Sequence, residues 1–137
     1  MKKIILAMCC LSAVVLTSCQ ADDTPEPTTQ QKLLGKWRVQ KVVDEYYKPV
    51  NTLVETDEII GAAGDSVVFK SNNEVYSYSD TEDDGVSPYR ILDENTIEIE
   101  DEIYKIKTLT NTELYLHLDH TQQAINERYV QRLYLVR

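Results

Sequence analysis

The sequence predicts an all-β domain, an antiparallel up-and-down β-barrel of about eight strands. Three observations point to it. After residue 32 the apolar residues recur with period two rather than 3.6. Turns rich in Asn and Asp break these runs at short intervals, at Ser71-Asn72-Asn73, Asp93-Glu94-Asn95 and Thr110-Asn111-Thr112. Such residues tolerate the left-handed backbone that hairpins need. No long segment carries helical periodicity, and a meander of about eight strands hides its edges by closing on itself.

Each strand is justified by its alternation. The first, at 36–44, sets Trp37, Val39, Lys41 and Val43 on one face against Arg38, Gln40 and Val42 on the other. A second is expected at 47–56. Val67 and Phe69 alternate with Ser66 and Val68 in 65–71, and strands at 74–79 and 87–92 follow. Ile97 and Ile99 alternate with Thr96, Glu98 and Glu100 in 95–100, before a strand at 102–110. Leu114, Leu116 and Leu118 form one face of 113–119. In 128–136, Val130, Arg132, Tyr134 and Val136 back onto Tyr129, Gln131, Leu133 and Leu135. β-Branched and aromatic residues are frequent throughout, as a pleated surface favours.

The N-terminus has a different character. Lys2 and Lys3 precede an apolar run from Ile4 to Leu16 broken only by Ser12. A membrane-spanning helix needs about 20 residues, whereas this run suits the apolar region of a cleaved secretory signal. It ends in Leu16-Thr17-Ser18-Cys19, which resembles the lipobox of bacterial lipoproteins. That resemblance implies a signal peptide at 1–18 and acylation (diacylglyceryl and palmitate chains) at Cys19, which becomes the first mature residue. Each buried CH₂ contributes about 0.8 kcal/mol, so two chains anchor a protein stably without a transmembrane helix. Gln20-Ala21-Asp22-Asp23 is similar to the export signal by which Bacteroidetes place lipoproteins on the outer face of the outer membrane. The expected location is therefore the outer membrane, lipid-anchored, at the cell surface.

Cys9 and Cys10 leave with the signal and no cysteine follows Cys19. The mature domain accordingly holds together by its core alone, without disulfides or thiolate metal sites. Residues 19–31 contain two of the four prolines and no large apolar residue, so they read as a lipidated flexible tether. Residues 32–137 form the domain. Removing 1–18 from 137 residues leaves 119, enough for one core. Loss of Lys2 and Lys3 takes the formal charge from −9 to −11, which excludes nucleic acid and anionic head groups as partners.

Leu33-Leu34-Gly35-Lys36-Trp37 resembles the Gly-x-Trp opening of lipocalins. The order of later segments is similar to the lipocalin-like domains of Bacteroidetes lipoproteins. These are Asp65-Ser66-Val67-Val68-Phe69, then Val75-Tyr76-Ser77-Tyr78, then the hairpin from Tyr104 to Leu116. The resemblance spans roughly 32–137. It implies a barrel whose closed end is plugged by Gly35 and Trp37, and no particular activity. The Thr-Asp-Tyr motif of the main lipocalin family is missing, so retinoid-type binding does not carry over.

Candidate chemistry is sparse. His117-x-x-His120 has the look of a zinc pair, but residues three apart on a strand face opposite ways, and His120 is expected in the following loop. Asp80 to Gly85 resembles the first half of a calcium loop, yet Ile91 stands where the closing glutamate belongs. No metal or cofactor is expected. Nine tyrosines remain: Tyr46, Tyr47, Tyr76, Tyr78, Tyr89, Tyr104, Tyr115, Tyr129 and Tyr134. Tyrosine suits a cavity wall, a barrel exterior or a filled core alike. Tyr76, Tyr78, Tyr89 and Tyr104 are the candidate lining of a ligand cavity. Two readings follow: a binding module for a small apolar or amphipathic molecule, or a non-enzymatic interaction or inhibitory lipoprotein with a filled barrel and an unknown protein partner. An enzyme is disfavoured, because no nucleophile–base pair or metal set is visible.

Overall fold

The structure, a computed structural model, describes residues 25–49, 51–81, 84–122 and 126–137. The signal at 1–18, Cys19, the tether through residue 24, and Glu82 and Asp83 of the acidic loop lie outside the described residues.

A short helix, α1 (Thr29–Leu33), precedes nine strands: β1 (Gly35–Lys48), β2 (Thr52–Ile60), β3 (Ser66–Phe69), β4 (Glu74–Tyr78), β5 (Gly85–Asp93), β6 (Thr96–Ile99), β7 (Glu102–Leu109), β8 (Glu113–Gln122) and β9 (Glu127–Val136). All pair antiparallel in the order β2-β1-β3-β4-β5-β6-β7-β8-β9, and β1 also pairs β9. Eight strands therefore close into a barrel, and β2 is the ninth, outside the ring. One edge of β1 takes β9 along residues 38–47. Its other edge takes β3 at Gly35–Arg38 and then β2 at Lys41–Lys48. β2 and β3 thus follow the same edge of β1 in succession, interrupted by the loop from Gly61 to Asp65.

Three expectations are corrected. The tether ends earlier: Thr28 caps α1 by accepting from the Gln31 amide (3.2 Å), while the Gln31 side chain accepts from the Thr28 amide (2.9 Å). This reciprocal capping box lets one helical turn form in a segment whose composition alone reads as disordered. The first hairpin is longer than expected. Tyr46, Tyr47 and Lys48 continue β1, Asn51 before the second strand has φ 59°, and that strand is 52–60 rather than 47–56. Finally, the β1–β9 register slips between Val39 and Lys41. That bulge reverses the alternation, so Lys41 and Val43 leave the face of Trp37 and Val39, and Val42, Asp44 and Tyr46 take it over.

The core fills the end where β1 begins. Leu33, Trp37, Phe69, Ile97, Leu114, Leu116 and Leu135 are all at most 2% exposed, with Val39, Val67, Ile91 and Leu133 packed against them. Outside the wall, Arg132 donates to both carboxylate oxygens of Glu45 (2.7 and 2.8 Å), and Tyr47 donates to Glu45 (2.8 Å). The Arg132 guanidinium, then the Tyr47 hydroxyl, holds the Glu45 carboxyl below its ordinary pKa. Val43 and Val130 are buried on this outer face among those long side chains.

Candidate functional site

Gly35 and Trp37 lie at the start of β1, at the end of the barrel that the core fills. Gly35 has φ +110°, a conformation glycine takes without steric penalty. Trp37 is fully buried and donates through Nε1 to the Leu33 carbonyl of α1 (2.7 Å). The Arg137 guanidinium lies 3.9 Å over the indole ring and donates to the carbonyls of Lys32, Leu33 and Leu34. One cation therefore stacks on the plug and satisfies the end of α1 together.

The four candidate cavity tyrosines are not brought together. Tyr76 and Tyr78 pair with Val68 and Ser66, whereas the Trp37 face of β3 carries Val67 and Phe69. Both therefore project outward, Tyr76 donating to Glu74 (2.9 Å) and Tyr78 standing 39% exposed. They leave the candidate lining. Tyr89 faces inward but is part of the filled core: 4% exposed, edge-on to Phe69 at 5.2 Å, its hydroxyl given to the Lys70 carbonyl (2.8 Å). Tyr104 alone combines an inward position with a link to the upper half, since it pairs with Ile97 and Leu118 on the inner face.

Its hydroxyl starts a polar chain across the barrel. Tyr104 donates to Gln131 Oε1 (2.9 Å), Gln131 donates through Nε2 to Tyr129 Oη (2.8 Å), and Tyr129 donates to Asp44 Oδ1 (2.8 Å). These residues come from β7, β9 and β1, and their partners share one inner face by register. The chain forms a polar floor over the apolar core. At the same end lies a pocket of about 540 Å³ lined by Tyr46, Tyr47, Glu55, His120, Arg128 and Tyr129, among others; of the polar chain only Tyr129 borders it. The rings of Tyr46 and Tyr129 are 5.0 Å apart, and Arg128 sits 5.1 Å over Tyr47 while forming a bidentate pair with Asp119. A larger hollow of about 790 Å³ lies at the other end, lined by Glu26 to Gln30, Lys32, Ile91, the β5–β6 turn and the end of β7. The mouth is the better candidate, because aromatic walls and a few convergent polar groups meet there.

Electrostatics fit this layering. Burial, then the carboxylates of Glu102 and Asp44, pushes the Tyr104 phenol up to about 12. Burial and the bond to Asp44 raise Tyr129 further. Such a phenol keeps its proton when folded after the unfolded chain has lost its own, so stability falls as pH rises from about 10 towards 12. Tyr104→Phe should show a shallower loss of denaturant midpoint across that window than the native protein. Equal slopes would separate Tyr104 from the effect.

His117 and His120 do face opposite ways, pairing with Arg132 on the outer face and Tyr129 on the inner. His120 belongs to β8 rather than a loop, with Nδ1 3.4 Å from Glu102 at the mouth. Tyr46 and Tyr129 were not selected by sequence as lining. The available signal was closure itself: if β1 and β9 pair antiparallel, the end of one meets the start of the other.

No family model and no curated protein matches the chain. Among solved structures, a deswapped triple mutant of bovine odorant-binding protein is similar over 77% of this chain and 74% of its own, with 16% identity and a TM-score of 0.46. A complex of bovine odorant-binding protein with a selenium-containing odorant is similar over 85% and 76%, with 15% identity and a TM-score of 0.48. The likeness is partial at these scores. The fold rests on the chain's own strand pairing, an eight-stranded antiparallel barrel with one strand added.

Proposed function

We propose that this protein is a lipid-anchored, non-enzymatic binding protein. Cys19 carries the acyl chains in the outer membrane at the cell surface, the segment before Thr28 is the spacer, and the barrel mouth takes one small amphipathic molecule. The observation that carries the reading is the pocket of about 540 Å³ at the barrel mouth, lined by Tyr46, Tyr47 and Tyr129 with Glu55, His120 and Arg128. Its volume is within the range of small-molecule sites, about 300–1,000 Å³. The filled lower half leaves no room for a long alkyl chain inserted lengthwise. The lining favours a ligand with an apolar ring against Tyr46 and Tyr129 and a hydrogen-bonding end towards Glu55, His120 or Arg128.

Native mass spectrometry of the acylated protein from its host tests the reading. A co-purifying small molecule is expected, retained by the native protein and weakened about tenfold in Tyr46→Ala, an effect of the size of one aromatic contact. Retention unchanged in Tyr46→Ala would place the ligand elsewhere. The same spectra read the anchor: Cys19→Ala should lose both the acyl mass and signal cleavage, and a normally acylated product would exclude Cys19 as its site.

A further inference from the structure

β2 is the outlier of the molecule. Every one of its nine residues is exposed, including Leu53, Val54, Ile59 and Ile60 at 49–66%. Among the described residues it pairs only with β1, so its other edge presents unpaired backbone donors and acceptors. An exposed strand edge carrying apolar side chains is a template for another strand. Left unguarded, it would recruit copies of itself.

Its charges decide which strand fits. β2 carries Glu55, Asp57 and Glu58 and no basic residue. Glu58 is bridged by Lys41 on the outer face (3.2 Å). Glu55 and Asp57 have no ion pair among the described residues, and register sets Asp57 beside Asp44 on the inner face. Consider two copies pairing β2 with β2 about a two-fold axis through Thr56. Glu55 of each copy then faces Asp57 of the other, twice in one short ladder. Like charges directly opposite destabilise a strand pair. The same carboxylates attract a segment with basic residues at alternate positions.

We propose that the free edge of β2 is a docking site for an extended basic segment of another protein, added antiparallel or parallel as a further strand. Lysine or arginine at every second residue meets Glu55 and Asp57. The intervening β-branched or small residues lie beside Thr56 and Ile60. Glu55 also lines the mouth pocket and Asp57 stands beside Asp44, so this edge adjoins the mouth but does not depend on a small ligand.

The test uses the mature full-length protein and two synthetic nonapeptides, Thr-Lys-Val-Lys-Val-Lys-Val-Lys-Thr and its counterpart with Glu for every Lys. Amide hydrogen exchange is followed by mass spectrometry. The basic peptide is expected to slow exchange across 52–60 about tenfold while leaving 66–69 unchanged, and the acidic peptide to have no effect. Raising salt from about 0.05 to 0.5 M should release the basic peptide, since exposed charges are then screened. The double variant Glu55→Lys/Asp57→Lys should exchange its preference and protect with the acidic peptide. Protection by both peptides alike, by neither, or independent of salt overturns the proposal. Protection that grows with protein concentration alone also overturns it, in favour of a second copy of this chain.

Discussion

Trp37→Ala is expected to lower folding stability by about 3–5 kcal/mol, the usual cost of deleting a large aromatic side chain from a core. Trp37 stands above a generic core residue for three reasons. It is fully buried, its Nε1 satisfies the Leu33 carbonyl, and its ring face carries Arg137. Removing the indole leaves a cavity in the cluster of Leu33, Phe69 and Leu135, leaves the Leu33 carbonyl with only the longer bond from Arg137, and strips the guanidinium of its platform. A stability near 5–15 kcal/mol is typical of such domains, so the loss takes a large share of the margin and should shift the denaturation midpoint clearly. Equilibrium denaturation followed by far-ultraviolet circular dichroism reads this directly. Arg137→Ala should cost clearly less, because it keeps the buried volume. A Trp37→Ala midpoint within about 1 kcal/mol of native would show that the closed end is not packed as described.

The parts of this fold legible in the sequence are those where one residue's side chain reports one face. Ile97 and Ile99, or Leu114, Leu116 and Leu118, alternate cleanly, and the structure buries or half-buries each of them. Gly35 and Trp37 stand out through the resemblance of the segment from Leu33 to Trp37 to a Gly-x-Trp opening, not through alternation. The candidate lining was less legible. Alternation states that Tyr76 and Tyr78 share a face but not which, and only pairing with Ser66 and Val68 assigns it outward. In β1 the bulge between Val39 and Lys41 changes which residues face in without changing composition at all. Tyr46, Asp44 and Tyr129 meet through closure of the sheet, a contact between opposite ends of the chain that no local pattern encodes.

Gly61 is the second position where a small change should act strongly, and sequence offers no hint of it beyond an isolated glycine after an apolar run. Gly61 donates its amide to the Gln40 carbonyl (3.1 Å) at the place where β2 gives way to the loop before β3. A Cβ built there would stand 2.1 Å from the Val39 carbonyl oxygen and 2.8 Å from its carbon. Those atoms are backbone of β1 and cannot rotate aside, so even alanine must push the two segments apart. Overpacking of this kind costs about 1–3 kcal/mol, occasionally more, and valine at this site should exceed alanine. Gly64 is the internal control. Its added Cβ would also approach within 2.0 Å, but of the Asp80 carboxylate, a side chain able to swing into solvent. Gly61→Ala should therefore lower the denaturant midpoint clearly more than Gly64→Ala. It should also speed amide exchange across both 52–60 and 66–69, because β2 and β3 hang from β1 on either side of that contact. If the two glycine variants prove equally mild, β1 and the β2–β3 junction are not held as closely as the structure has them, and the placement of β2 as a separate, projecting strand loses its support.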